Sequence, residues 1–261
     1  MSKAEEFLII AEESNVIENF IKAGNLCIIE DKYNLAALAF HRAGDLYTIN
    51  KDKYKAANMY VKSVDNYVKD GQFKIAQDLL NIAINIYLED GKFNSAATQF
   101  KNLAGLYQKD KQITLAIESY IKAHKYFCVE NSQSTGCACL YKASQLAIEH
   151  EKYDDAIKLL IQINEYYESN KLTEFKSKQI MLEIAILKLF SVDVKECKSY
   201  LSTQSQHKDT REYKLLDVLI DSIENFCCMG FDNAVSEFNS IQPLEEWETK
   251  LLSIVKERIN K

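Results

Sequence analysis

Histidines and cysteines are the side chains in this sequence that could bind a metal or act as nucleophiles, and their spacing favours neither role. No two histidines form the H-x-x-x-H spacing that places two ligands on one helix face. Cys137-x-Cys139 and Cys227-Cys228 lack the paired C-x-x-C spacing of a zinc site, and no nearby histidine completes a set. We therefore expect no metal site and mostly buried, reduced thiols. The four histidines are His41, His124, His150 and His207.

Paired acidic residues could supply a general acid and a general base, but here they lack a supporting motif. Glu12-Glu13 and Glu245-Glu246 are typical of solvated helix faces. The sequence contains no G-x-S-x-G, Walker or dinucleotide-binding motif. We predict no catalytic residues and no cofactor, and an enzyme is disfavoured.

Composition favours a helical, globular protein. Of the 261 residues, 47% are hydrophobic and 27% are charged, which argues against disorder. One proline and seven glycines leave too few turn-forming residues for a many-stranded fold. The net charge of −6 disfavours nucleic acid as a partner. The short apolar run at residues 7–10 is bracketed by acids, unlike a signal peptide, and we expect a cytoplasmic protein.

The elements that position these side chains follow a period of 20 residues. Small residues recur at this spacing, and large apolar residues follow them four positions later. Counted from the small residue of each repeat as offset 0, offsets 4, 7 and 11 also hold small or apolar residues. These four offsets fall on one face of an α-helix. The small residues are Ala36, Ala56, Ala76, Ala96, Ala116, Gly136 and Ala156, and the large ones are Phe40, Tyr60, Leu80, Phe100, Tyr120, Leu140 and Leu160.

Each repeat unit predicts one amphipathic helix of about 14 residues and a short connector. Asp70-Gly71 and Asp90-Gly91 fall in connectors, where a left-handed residue can end a helix. Two units make a helical hairpin, and we interpret the repeated columns as core packing between stacked hairpins. The predicted fold is all-α: a tetratricopeptide-like superhelical solenoid of long helical hairpins, capped by a C-terminal helical bundle.

The repeat register is lost after about residue 171. Helical patterns continue at 172–190, 193–203, 211–229, 231–241 and 244–259, with breaks expected at Gly230 and Pro243. We predict two domains, the solenoid at residues 1–171 and the helical bundle at residues 172–261.

Several long runs in this sequence carry a resemblance to one family of helical adaptor proteins. They include NFIKAGNLCIIEDKYNLAALAFHRAGDLY, ACLYKASQLAIEHEKYDDAIKLL and PLEEWETKLLSIVKERI. Together with the 20-residue period, the TREYKLL segment and the L-x-x-W ending, they resemble the soluble NSF attachment proteins (SNAPs), the alpha type in particular. The resemblance extends over about residues 16–259.

The resemblance implies an adaptor whose partners supply the chemistry. Such an adaptor binds the syntaxin-type SNARE four-helix complex through one solenoid face. It recruits the hexameric AAA+ ATPase, the N-ethylmaleimide-sensitive factor (NSF), through its C-terminal bundle. The implied role is SNARE disassembly in vesicle fusion and intracellular protein transport, in the cytoplasm and peripherally on membranes through SNARE complexes.

The resemblance also implies SNARE-binding lysines. The family's basic positions map onto Lys69, Lys92 and Lys142, while two further family lysines fall on Thr98 and Ala138. Lysines placed along a solenoid would steer a rod-like partner that carries acidic stripes. The alternative is that these lysines are ordinary solvated charges.

The family's ATPase-facing acids map onto Asp193, Asp221 and Glu224, and a fourth such position is Asn225 here. Asp221 and Glu224 lie three residues apart, so they share a helix face and could meet one basic patch together. An ordinary exposed acidic face is the alternative.

The resemblance implies weak membrane-surface contact near the N-terminus, where family members carry a loop with exposed phenylalanines. This sequence offers only Phe7, Leu8, Ile9 and Ile10 there. Their burial could give reversible adhesion, although nearby glutamates oppose anionic lipids. The alternative is that the first helix packs these residues against the solenoid.

Alpha-type members also continue past the last helix with a short acidic tail. That tail holds a leucine tied to stimulation of the ATPase, whereas this sequence ends ERINK. We expect recruitment of the ATPase with weaker stimulation, unless Ile259 supplies the apolar contact.

Two other readings stay open at this point. A generic tetratricopeptide-type scaffold that binds a peptide or protein requires a basic clamp within three 34-residue repeats. The 20-residue period of this sequence does not supply such repeats. A helical regulatory domain of an enzyme would need a catalytic segment. ATP-dependent SNARE disassembly distinguishes the adaptor from both.

Overall fold

A computed structural model of the protein describes residues 2–191 and 193–259. These residues form fourteen α-helices and one 3-10 turn, with no β-strand among them, so the all-α prediction is confirmed. The helices are α1 (Lys3–Ser14), α2 (Ile17–Ile29), α3 (Tyr33–Ile49), α4 (Lys53–Lys69), α5 (Phe73–Glu89), α6 (Phe93–Lys109), α7 (Ile113–Val129), α8 (Gln133–Glu149), α9 (Tyr153–Ser169), α10 (Glu174–Ser191), α11 (Val194–Thr203), α12 (Arg211–Glu224), α13 (Cys228–Ile241) and α14 (Glu246–Ile259).

The seven helices α3 to α9 repeat with the predicted period. Each has 17 residues, and they begin at every twentieth position from Tyr33 to Tyr153. They are about one turn longer than expected. The buried columns extend only from offset 0 to offset 11 and therefore carry no signal for the exposed first and last turns.

Three-residue connectors join α2 through α9 and end each helix in the same way. The middle residue is left-handed, as predicted at Gly71 and Gly91, where φ is +79° and +68°. The next residue donates its backbone N–H to the carbonyl five positions earlier, such as Gln72 N to Tyr67 O at 2.8 Å, which is a Schellman motif. Five connectors reach the same backbone conformation without glycine, at Asp31, Lys51, Lys111, Asn131 and Glu151.

The repeated columns form the core between neighbouring helices. Every alanine of the small column has no exposed surface, and the large apolar column is buried throughout. Some contacts leave no room for any side chain: a Cβ at Gly44 would lie 2.5 Å from the ring of Tyr60. Small residues thus allow helices to approach closely while the aromatic rings fill the remaining space.

The chain divides into two compact units, and the division falls inside α8, between Cys139 and Leu140. In the first unit, successive helices from α1 to α7 pack against one another. Their short connectors make neighbouring helices antiparallel. The domain boundary expected at residue 171 stays a prediction.

Helix α10 is central to the second unit. It contacts α9, α11, α12 and α14. Ten of its 18 residues are buried, as is typical of a helix that is surrounded on all sides. The predicted break at Pro243 is confirmed, because this residue lies between α13 and α14.

The break expected at Gly230 is wrong. The chain turns earlier, at Phe226, which is left-handed at φ +53°. Cys227 then donates its backbone N–H to the Ser222 carbonyl at 2.8 Å. Gly230 lies within α13, where a Cβ would lie 3.0 Å from Ser222 Oγ. This glycine therefore serves the close packing of α12 on α13.

Candidate functional site

A column of basic side chains occupies one register position of the helices in the first unit. The position is exposed in each of α2 to α7. Four of its six residues are basic and none is acidic, so its charge is opposite to that of the whole chain. This column has the same 20-residue period as the buried columns and was therefore readable from the sequence. The six residues, here called the basic column, are Lys22, Arg42, Lys62, Ile82, Asn102 and Lys122.

Within the basic column, Lys22 and Lys62 lie on two helices that run in the same direction. They lie on α2 and α4, which both pack against α3. Because these two helices run in the same direction, the same register position places both lysines at the same height. They therefore present two positive charges at the same height on either side of α3.

Lys62 borders a groove between α4 and α6. The groove has a volume of about 500 Å³ and is also lined by Met59 and Thr98. The Lys62 ammonium lies 5.6 Å from the centre of the Phe40 ring, within the range of a cation–π contact. Lys62 thus places a positive charge on the groove that Thr98 lines, where the resemblance would place a lysine.

The three lysines expected to bind SNAREs are exposed, and the two in the first unit lie far apart. Lys69 ends α4, and Lys92 is the N-cap of α6. Since α4 and α6 run in the same direction, these two lysines are separated by about 25 Å along the helix axes. Lys142 belongs to the second unit, in α8, where it occupies the register position that Lys62 has in α4.

Asp221 and Glu224 share one face of α12, as their spacing predicted. Lys198 of α11 donates to both carboxylate oxygens of Glu224, at 2.9 and 2.7 Å. The hydrogen bond to Glu224 is the main reason that the pKa of Lys198 is raised, and the charges of Asp221 and Asp217 add to it. Asp217 extends the acidic face by one turn. Its i, i+4 spacing from Asp221 was readable from the sequence.

Asp193 has a structural role of its own. Its Oδ1 accepts the backbone N–H of Glu196 at 2.8 Å, so Asp193 is the N-cap of α11. The side chain is exposed. A contact to an ATPase from this position stays a prediction.

The four apolar residues near the N-terminus lie on α1 in two environments. Phe7 is half-buried, and Leu8 packs on the hydrophobic cluster of the first helices. Ile9 and Ile10 are 43% and 48% exposed. Only the two isoleucines offer substantial surface to a membrane. No helix within residues 2–191 and 193–259 is long and apolar enough to cross a bilayer.

Ile259 lies at the end of α14 and is buried, with 6% of its surface exposed. It therefore packs into the second unit, and the expectation that it supplies an apolar surface contact in place of the tail leucine is wrong.

Two buried carboxyl groups lie on α10 and α14, which pack against each other. Glu183 and Glu248 are 2% and 1% exposed, and each has one carboxyl oxygen without a hydrogen-bond partner. The Tyr141 hydroxyl donates to Glu183 Oε1 at 3.0 Å. Desolvation raises the pKa of Glu183 to about 8, assisted by the charge of Glu248. It raises that of Glu248 to about 7. In the described part of the chain, no three metal-binding side chains come together.

A family model described as soluble NSF attachment protein, SNAP, matches residues 8–260 of this sequence. The chain belongs to the soluble NSF attachment protein family. The match confirms the resemblance seen in the repeat period and in the L-x-x-W segment.

Named relatives agree with this membership. The beta-soluble NSF attachment protein of Bos taurus is 30% identical over 248 residues, which cover 93% of this chain and 82% of that protein. The alpha-soluble NSF attachment protein of Dictyostelium discoideum is 33% identical over 165 residues, or 62% of this chain and 57% of that protein. The vesicular-fusion protein SEC17 of Coprinopsis cinerea is 25% identical over 168 residues, or 62% and 58%. The last two matches thus span little more than half of those relatives.

The names of these relatives support a family role in vesicle fusion. The matching family is one of attachment proteins and not a catalytic family.

Proposed function

We propose that this protein is an adaptor that binds assembled SNARE complexes and recruits the hexameric ATPase NSF for their disassembly. Its role would be in vesicle fusion and intracellular protein transport. The observation that carries the proposal is the basic column on the repeat helices of a chain that belongs to the attachment protein family.

The basic column supports SNARE binding through charge and spacing. Lys22 and Lys62 project from helices that flank α3, so a rod-like bundle with acidic stripes can contact both at once. Lys69 and Lys92, at opposite heights on the first unit, and Lys142, on the second unit, would each add a contact of their own. Lys62 takes the role of the lysine absent at Thr98, because it lines the same groove.

The acidic face of α12 supports recruitment of the ATPase. Asp217, Asp221 and Glu224 carry three negative charges, and Lys198 balances only one of them. A basic partner surface would gain from the remaining charge. Asp193 would contribute from the start of α11.

Two assays test the proposal. Immobilised SNARE complex should retain the purified full chain, and addition of NSF with ATP should then release the SNAREs. A generic tetratricopeptide scaffold would support neither step, so retention without disassembly, or no retention, contradicts the proposal.

Paired charge reversals test the basic column. Lys22→Glu/Lys62→Glu should weaken SNARE binding about tenfold or more. Lys74→Glu/Lys158→Glu makes the same change in net charge at exposed lysines outside the column and should change affinity little. Equal SNARE affinity of the two double variants would show that the basic column is not part of the interface. Lys69→Glu/Lys142→Glu tests the other lysines in the same way.

Salt dependence provides a second test. Exposed charges are screened beyond about 8–10 Å at physiological salt, so affinity for SNAREs should fall markedly as ionic strength rises. An affinity that is independent of salt would contradict an electrostatic interface.

Location follows from the partners: a cytoplasmic protein held peripherally on membranes through SNARE complexes, with weak lipid contact through Ile9 and Ile10. Ile9→Ser/Ile10→Ser should reduce flotation with liposomes, whereas the control Ile29→Ser/Ile49→Ser, at two more exposed isoleucines elsewhere, should not. Equal flotation of both variants would reject direct membrane contact at α1.

A further inference from the structure

The turn between α12 and α13 exposes a phenylalanine in an unusual backbone conformation. Phe226 is left-handed at φ +53°, and its side chain is 76% exposed. Nine residues in the described part of the chain are left-handed, and the other eight are polar or glycine. Bulky side chains are disfavoured in this conformation, because Cβ approaches the following carbonyl oxygen.

The fold gives no reason for phenylalanine at this position. The turn has the backbone pattern of the repeat connectors, with Phe226 N bonded to Ile223 O at 3.3 Å and Cys227 N to Ser222 O at 2.8 Å. In the connectors, lysine, aspartate, asparagine and glycine form the same pattern. A ring this exposed buries little apolar surface, so Phe226 combines strained backbone with exposed hydrophobic area.

A second large apolar residue accompanies Phe226. Met229, in the first turn of α13, is 75% exposed, and Cys227 between them is also exposed. Residues 225–229, here called the α12–α13 tip, thus expose two large apolar side chains three positions apart. Large apolar side chains exposed within one short segment are characteristic of interaction sites.

Acidic residues flank the α12–α13 tip on both sides. Glu224 and Asp221 lie in the last turn of α12, and Asp232 lies in the first turns of α13. Glu224 pairs with Lys198, and Asp232 with Lys256 at 2.6 Å, while Asp221 is exposed. The acids outnumber the two lysines that pair with them, and the negative charge left at Asp221 opposes insertion into an anionic bilayer and suits a basic protein surface.

We propose that the α12–α13 tip inserts into an apolar pocket, ringed by lysine or arginine side chains, on the surface of the ATPase. The inference rests on the proposed function for the identity of that partner. Phe226 and Met229 supply the buried anchor, and Asp221 and Glu224 supply the charged rim that fixes its orientation.

The test uses the full chain bound to immobilised SNARE complex and measures retention of NSF. Phe226→Asn places a residue that tolerates the left-handed conformation, and Met229→Gln keeps a good helix former. Each should reduce affinity for NSF about tenfold or more. Ile49→Gln, at a similarly exposed apolar residue, is the matched control and should leave affinity unchanged.

Thermal unfolding separates recognition from folding. Phe226→Asn should leave the midpoint unchanged or raise it, because it relieves backbone strain while removing little buried area. A lowered midpoint together with lost binding would assign Phe226 to the fold and overturn the inference.

The remaining outcomes are also distinct. If the wild-type chain binds SNAREs and NSF and Phe226→Asn/Met229→Gln binds NSF equally well, the tip inference fails and the proposed function stands. If the wild-type chain retains no NSF, the proposed function fails as well. If the double variant loses only flotation with vesicles of phosphatidylcholine and phosphatidylserine, the tip contacts lipid and a protein partner is overturned.

Discussion

Replacing Glu183 by glutamine should stabilise this protein at neutral and alkaline pH. Glu183 is 2% exposed, and one of its oxygens has no hydrogen-bond partner. Glutamine has nearly the same shape as glutamate. Its carbonyl oxygen can still accept the hydrogen bond that the Tyr141 hydroxyl donates to Glu183 Oε1 at 3.0 Å in the wild type. The substitution therefore removes a buried ionisable group without opening a cavity.

The magnitude follows from the pKa of about 8 in the folded protein and the ordinary value of 4.5. The folded state holds a proton that the unfolded state releases above pH 4.5, so the free energy of unfolding falls as pH rises towards 8 and then levels off. At about 1.4 kcal/mol per pH unit, keeping this carboxyl protonated at pH 7 costs about 3 kcal/mol. Glu183→Gln should recover most of it.

Urea unfolding between pH 5.5 and 8.5 measures this effect. The wild type should lose stability across the range, and Glu183→Gln should show a shallower slope, with Glu248 accounting for the part that remains. Glu237→Gln removes an exposed carboxylate and should follow the wild-type slope. Parallel curves for the wild type and Glu183→Gln, or a variant less stable at pH 7.5, would refute the reasoning.

Three glycine substitutions test the packing of the repeats by thermal or urea unfolding. Gly91→Ala should lower the free energy of unfolding by about 1–2 kcal/mol. Its φ is +68° and a Cβ there would meet no atom, so backbone strain is the only effect of the substitution. Lys111→Gly should raise stability by about 1 kcal/mol, since it relieves the same strain at φ +57°, and a loss of stability would contradict this. Gly44→Ala should destabilise by about 1–3 kcal/mol despite its better helix propensity, because the added Cβ would lie 2.5 Å from Tyr60; an unchanged midpoint would show that the ring yields freely.

The repeat architecture was readable from the sequence because local rules produce it. A helix places offsets 0, 4, 7 and 11 on one face whatever it packs against, so the alanine and aromatic columns identified the core. The connectors at Gly71 and Gly91 were identified for the same reason, since glycine marks a left-handed residue. The five connectors without glycine were invisible because their backbone is imposed by the helices on either side.

The surfaces could be predicted only in part. Periodicity can place the basic column and the acidic face of α12 on exposed helix sides. The resemblance singled out Asp221 and Glu224, and their spacing placed them on one helix face. Periodicity does not show that Lys62 and Thr98 line one groove, or that Lys198 neutralises Glu224, because those contacts join helices that are distant in sequence.

Sequence by itself determined the helical period, the core columns and the family of this protein, because each depends on residue types and spacings that are close together along the chain. Tertiary structure decided the rest. No sequence pattern marks Glu183 and Glu248, which are buried on the contacting helices α10 and α14. Gly230 reads as a chain break until α12 packs against it, and no sequence pattern shows that the turn leaves Phe226 in solvent. Burial and pairing depend on which distant helices meet, and one-dimensional periodicity does not encode that choice.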